Sequence, residues 1–218
     1  ERKHLIQLIG KSDVKIADYC KWVLSKGKDA IYYLTDMTTA ETNMIFSFLN
    51  DYGKEYSKPE LLEILSHIYQ DLYQYLLPYD YKNDLLNDYF SNYKYQKAIN
   101  FITPEFRELV EEQARKREYN LLLPCRSEKI ESIDVSNALV YFVDAMGVEY
   151  LSYIMAQCQK YNLMAFTTLC HCEIPSITCK NKEFVEVFKS NGAKFAKDEN
   201  GIKELDELKH HGAEDFDY

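Results

Sequence analysis

A basic surplus, a membrane-length apolar run and a paired cysteine motif are all missing from this sequence, and each absence narrows the function. The formal net charge is −9. A duplex-gripping module shows the opposite bias, because phosphate neutralisation supplies most of its affinity. A stand-alone nucleic-acid binder is therefore disfavoured, while a local basic groove stays open. No apolar run is long enough to span a bilayer and no signal peptide is read at the start, so no membrane partner is expected. None of the six cysteines falls in a CxxC pair, which points to free thiols in a reducing, cytoplasmic setting. P-loop, GxGxxG, GxSxG and HExxH patterns are absent as well. The chain starts at Glu1 and stops at "EDFDY", and reads as a fragment of a longer protein.

What is present begins with a composition that builds a core. Hydrophobic residues make up 46% and charged residues 28% of 218 positions, enough for one large domain or two small ones. Residues 1–123 read as a helical domain by apolar periodicity. One helix starts at Asp13 and closes near Gly27. The next carries a capping pattern, Thr38 or Thr39 with Glu41 or Thr42, and ends at Gly53. A third opens at Ser57, with a proline close to its first turn, and runs to just before Pro78. A fourth covers roughly 81–102. The last, about 103–123, has Thr103 as cap, Pro104 at its first position, and Glu105 and Glu108 in its first turns. The 19 tyrosines crowd the region from Tyr69 to Tyr95, where they predict helix packing with wet hydroxyl ends rather than a stacking platform for bases. His67 reads as a core or boundary histidine.

A polar, interrupted stretch at 124–136 reads as a linker. After it the rhythm becomes β–α–β–α. "ALVYFVD", 138–144, is a continuous apolar run of strand length, suited to a parallel sheet covered on both faces. An amphipathic helix follows, carrying Val148, Leu151, Ile154, Met155 and Cys158 on one side. "LMAFTTLCHC", 163–172, is a second strand candidate, and "NKEFVEVFKSNG" a helix ending at Gly192.

Two places in this second part carry chemistry. Ligands bind beyond the carboxyl ends of parallel strands, and Asp144 lies at such an end, with Gly147 free to turn the chain into the next helix. The plain alternative is that Asp144 caps that helix. The second place is "EIPSITCKNKEF", where Pro175 restrains the loop and Ser176 and Thr178 offer hydroxyls close to the positive end of a helix beginning near Asn181. Here too a simple N-cap is the alternative. Adjacent parallel strands would bring both places to one rim, where a metal on Asp144 would lower the pKa of the Thr178 hydroxyl.

"VYFVDAMGVEYL" followed by "LMAFTTLCHCEIPSITCKNKEF" resembles the opening of the PglZ domain of bacterial BREX phage-defence systems, in particular the larger PglZ proteins of the fourth BREX type. That resemblance covers about residues 135–218. It implies the alkaline phosphatase superfamily, whose sheet core carries two divalent metals, usually zinc. It further implies Asp144 as metal ligand, Thr178 as nucleophile and metal ligand, and Asn181 three residues later as a substrate-binding group, from the Pro-x-x-Thr-x-x-Asn pattern of the nucleotide pyrophosphatase branch. Glu149 matches a glutamate often found after the strand end, and Gly147 replaces an arginine that many PglZ proteins carry there. The superfamily's remaining ligands, an aspartate–histidine set, lie far downstream of the nucleophile.

The expected fold is thus an α-helical N-terminal region followed by the start of an alkaline-phosphatase-like α/β domain at 137–218. The expected function is that of a metal-dependent phosphohydrolase or phosphodiesterase in phage defence, acting on a nucleotide or nucleic-acid end beside other defence subunits. The alternative is a non-catalytic scaffold with a degenerate phosphatase core. Structural zinc on Cys170 and Cys172, with Cys179, His210 or His211, is the weaker reading of "CHC", since closed zinc sites show paired two- to four-residue spacings. The acidic "DENG" and "AEDFDY" read as solvated surface.

Overall fold

A computed structural model describes residues 2–9, 13–134 and 146–172, with the single positions 143, 174, 187 and 190. The chain divides into two compact units. The first comprises residues 1–112 and 148–166, the second residues 113–147 and 167–218.

The first unit is helical. It contains α1 (Arg2–Ile9), α2 (Asp13–Leu24), a 3-10 turn at Gly27–Tyr33, α3 (Thr39–Tyr52), α4 (Lys58–Ile68), α5 (Gln70–Leu76), α6 (Asp84–Ala98) and the start of α7 (Pro104–Lys116). Its core is an aliphatic stripe from successive helices. Ile45, Phe48 and Leu49 come from α3, Leu61, Leu65 and Ile68 from α4, and Leu72 and Leu76 from α5. These follow the three- and four-residue spacing that puts side chains on one helix face. Each buried Leu or Ile contributes about 1.5–3 kcal/mol.

The helix starts follow their caps. Thr38 Oγ1 accepts from the Glu41 N–H ahead of α3. Ser57 and Glu60 form a reciprocal capping box ahead of α4. Thr103 Oγ1 accepts from the Phe106 N–H ahead of α7. Each arrangement satisfies a backbone donor that the first helical turn leaves without a partner.

Two of the expected helices are broken. The helix read from Ser57 to Pro78 is interrupted at Tyr69, whose backbone sits at φ −144 and ψ 87. Asp36 enters the break: its N–H donates to Ile68 O at 3.0 Å, and its carboxylate accepts from the Gln70 N–H at 3.4 Å. The helix read to residue 123 ends at Lys116, because Arg117 turns left-handed at φ +52. Gly27 sits at φ +58, as a glycine closing a helix does. Gly53 has a different reason. Its backbone is right-handed, and an added Cβ would lie 2.7 Å from Ile99 Cγ2. Gly53→Ala is therefore expected to destabilise the chain by about 2 kcal/mol through overpacking, read as a lower urea midpoint at unchanged slope.

The tyrosine-rich stretch packs helices, as read from the sequence. Tyr81 meets Tyr79 and Phe90, each with ring centroids 5.0 Å away, and Tyr89 meets Phe106 at 5.3 Å. The Tyr95 hydroxyl donates to Tyr56 O at 2.7 Å. His67 lies on the exposed side of α4 rather than at a core boundary.

The return of the chain to this unit is the largest departure from the sequence division. A 3-10 turn, Val148–Tyr150, leads into α10 (Leu151–Lys160), and both belong with α5 and α6 rather than with the later residues. The cause is a set of polar and aromatic contacts described below. In the second unit α8 (Tyr119–Leu122) falls at the end of the stretch read as the last helix, and the expected linker holds α9 (Arg126–Glu131). There is no strand among the described residues. The strand expected over 163–172 is reduced to one parallel bridge, His171 with Cys125. A strand of a parallel sheet is buried on both faces, whereas Met164 is 84% and Phe166 90% exposed.

Candidate functional site

Asp144, Thr178 and Asn181, together with Pro175 and Ser176, lie outside the described residues. The described chain resumes at Met146, and from Val148 on it takes part in a densely connected polar centre on the first unit. Glu149 Oε1 lies 3.7 Å from Lys97 Nζ. The Tyr81 hydroxyl donates to Val148 O at 3.0 Å. Lys94 is 1% exposed; its Nζ donates to Leu77 O at 2.6 Å and to Ser152 Oγ at 3.1 Å. Ser152 Oγ passes the chain on to Tyr75 O at 2.9 Å. Gln157 Nε2 donates to Gln74 Oε1 at 2.9 Å, and the Tyr75 and Tyr150 rings meet at 5.3 Å.

Elementary packing explains why a lysine is buried here. Leu86, Phe90 and Lys94 recur every four residues on α6, so Lys94 continues the inward stripe. Helix α5 ends at Leu76 with free carbonyls, and the Lys94 ammonium satisfies that of Leu77. Burial pushes the Lys94 pKa down to about 8, with the charge of Lys58 adding to the shift and that of Glu149 opposing it. Burial likewise raises the pKa of Tyr75 and Tyr81, with Glu149 next in effect. The Tyr75 hydroxyl is buried without a hydrogen-bond partner.

These shifts fix a pH dependence of stability. Between pH 8 and about 10.4 the unfolded chain keeps a proton that folded Lys94 has released, so stability rises with pH in that window. The full contribution is about 3 kcal/mol. Above about pH 10 the unfolded tyrosines ionise before folded Tyr75 and Tyr81, and stability falls. Denaturant unfolding from pH 7 to 11 is expected to show a maximum near pH 10. Lys94→Met removes the rise below it and leaves the fall above it.

The "CHC" segment takes a structural role in the second unit. The His171 N–H donates to Pro124 O at 3.0 Å and the Arg126 N–H to His171 O at 3.3 Å. Cys125, Cys170 and Cys172 are free, half-buried thiols, and burial raises that of Cys170. No group of three histidine, cysteine or carboxylate side chains among the described residues is placed to hold a metal. Cys179, His210 and His211 lie outside them. No helix among the described residues is long and apolar enough to cross a membrane.

Sequence reasoning did not single out Lys94, and it read Tyr81 only as one of the helix-packing tyrosines. The four-residue recurrence Leu86–Phe90–Lys94 is the signal that marks Lys94. A second network, at the start of α3, joins fully buried Glu41 to Arg2, Thr35 and Thr38. It falls within residues 1–52, which match the model of a family described as a domain of unknown function (DUF7863). No curated protein matches the chain, and no solved structure does.

Proposed function

We propose that the chain is the N-terminal part of a PglZ-like, metal-dependent phosphohydrolase or phosphodiesterase of a BREX phage-defence system, with Thr178 as nucleophile and Asp144 as metal ligand. The observation that carries this reading is the ordered pair of motifs, "VYFVD" and then "PSITCKN", with a single helix between the two expected strands. The sheet expected after residue 137 belongs to the same proposal, as do a cytoplasmic setting, other defence subunits as partners and a nucleotide or nucleic-acid end as substrate.

The donor chemistry fits a divalent cation. A carboxylate and a hydroxyl are oxygen donors of the kind that Zn2+ accepts. Glu149 is not a further donor, since its carboxylate is occupied by Lys97. The metal, held by Asp144 and Thr178 with further ligands from downstream chain, would acidify the hydroxyl and offset phosphoryl charge. Thr178 Oγ1 loses its proton and forms the bond to phosphorus, while the bond from phosphorus to the leaving oxygen breaks and that oxygen takes up a proton. Water then attacks the phospho-threonine, which releases the phosphoryl group and restores the hydroxyl. Asn181 donates its side-chain amide to a phosphoryl oxygen.

A second reading rests on the surface of the first unit. Leu5, Leu8, Trp22, Leu24, Tyr32, Tyr33 and Phe46 are all exposed within the first three helices and the 3-10 turn, as on a scaffold that docks other subunits. One assay separates the two readings. The full-length protein is given a simple phosphodiester and a simple phosphomonoester with zinc, manganese or chelator. Turnover that needs the metal supports the hydrolase; no turnover with either ester leaves the scaffold.

A further inference from the structure

Lys94 of α6 is sealed inside the first unit, bonded to the residue that follows α5 and to the first turn of α10. Among the described residues its nitrogen makes two hydrogen bonds, to Leu77 O and to Ser152 Oγ. Ser152 Oγ gives its own proton to Tyr75 O, so toward Lys94 it accepts. Two acceptors match the two N–H groups of a neutral amine, whereas an ammonium brings three donors. The remaining tetrahedral position of Nζ then holds a lone pair. The carboxylate acting on the site, Glu149, is taken up by Lys97, so the ammonium form has no close counter-charge among the described residues. An unused donor stands nearby. The Tyr75 hydroxyl is buried without a partner, on a ring whose centre lies 5.9 Å from Nζ. The surrounding field is cationic: Lys58 acts on Lys94 directly, and Lys97 lies over the Tyr150 ring that meets Tyr75.

We propose that Lys94 is a carbamylation site that takes up carbon dioxide. A buried amine admits only a small, uncharged reagent, and carbon dioxide is both. The Nζ lone pair forms a bond to the carbon, one C–O π bond opens onto its oxygen, and one N–H proton passes to water. The carbamate nitrogen keeps one N–H, which continues to serve Leu77 O. The new carboxylate supplies the acceptor that the Tyr75 hydroxyl lacks. Its negative charge faces Lys58 and Lys97, with Glu149 opposing it and the Tyr75, Tyr81 and Tyr150 phenols neutral beside it. An uncompensated buried cation is thereby exchanged for an anion that is hydrogen-bonded and set among cations. The site also selects this lysine over others. Burial holds the Lys94 pKa down to about 8, whereas an exposed lysine titrates near 10.4. Near pH 8 the share of Lys94 with a free lone pair is about a hundredfold larger than that of an exposed lysine.

The test gives the full-length protein carbon-13-labelled carbon dioxide at about pH 8 and follows the label by NMR. A trialkyloxonium salt then traps any carbamate as its ester for mass spectrometry. The expected result is a protein-bound carbamate resonance distinct from bicarbonate, with the trapped mass on the peptide that holds Lys94. Occupancy rises with pH at fixed dissolved carbon dioxide, because the reaction releases a proton. Lys94→Met is expected to lose the resonance. Tyr75→Phe keeps the lysine and removes the donor, and is expected to lower occupancy about tenfold, the worth of one hydrogen bond to a charged group. A wild type without the resonance, a resonance that survives Lys94→Met, or trapped mass on other residues alone would overturn the proposal. Occupancy unchanged in Tyr75→Phe would overturn it too. That variant and the trapped peptide decide the matter should Lys94→Met fail to fold.

Discussion

Under the proposed hydrolase reading, Thr178→Ala in the full-length protein is expected to lower metal-dependent phosphoester hydrolysis by about a thousandfold or more, since the group proposed to form the covalent bond is gone. Thr178→Ser is expected to retain a measurable fraction, because it offers the same oxygen on a less restricted side chain. The comparison separates a nucleophile from a cap. If Thr178 only closes the start of the following helix, alanine costs about 1 kcal/mol of stability and leaves turnover alone. Steady-state rates on a phosphodiester and a phosphomonoester, with the folded state checked by thermal unfolding, decide between them.

Glu41→Ala is expected to destabilise the chain by about 4 kcal/mol, the scale of breaking a buried ion pair from one side. Glu41 is fully buried, and its two oxygens serve several donors. Oε1 accepts from Arg2, from the Thr35 N–H at 3.1 Å and from the Thr35 hydroxyl at 3.1 Å. Oε2 accepts from the Thr38 hydroxyl at 2.9 Å. Arg2 also lies 3.8 Å over the Tyr19 ring, so the same carboxylate ties α1 to α2 and α3. Removing it leaves the Thr35 N–H without an acceptor in a buried place, the costly half of a hydrogen bond. Glu41→Gln keeps the shape and one acceptor oxygen, and is expected to cost about half as much. Urea unfolding of the three proteins checks the order. A loss under about 1 kcal/mol for Glu41→Ala would show that water replaces the network at little cost.

Much of the helical region was legible because its signals are local. Thr38, Ser57 and Thr103 each sit one residue ahead of a helix and bond back into its first turn, so the residue types announce the starts. What could not be read depends on residues far apart in the chain. Tyr69 breaks a helix of good periodicity because Asp36, more than thirty positions earlier, takes both backbone groups at the gap. The stretch from Val148 to Lys160 had the amphipathic pattern of a crossover helix, yet that pattern does not say which sheet or bundle receives it. Tyr75, Tyr81, Lys94 and Lys97 decide it by polar contacts. Lys94 in "SNYKYQK" reads locally as solvated, and only its place in the four-residue stripe of α6 shows otherwise. For the candidate site, Asp144 and Thr178 are read only as residue types in order, and both lie outside the described residues. The donors that would complete a metal site were not legible, since no further ligand stands at a recognisable spacing.

The central claim is that Asp144 delivers a metal ligand. The most direct measurement is a calorimetric zinc titration of the full-length protein beside Asp144→Ala. The account predicts zinc binding in the wild type that is weakened at least about a hundredfold in the variant, with thermal unfolding changed by no more than the loss of a cap. Zinc affinity unchanged by Asp144→Ala would contradict it.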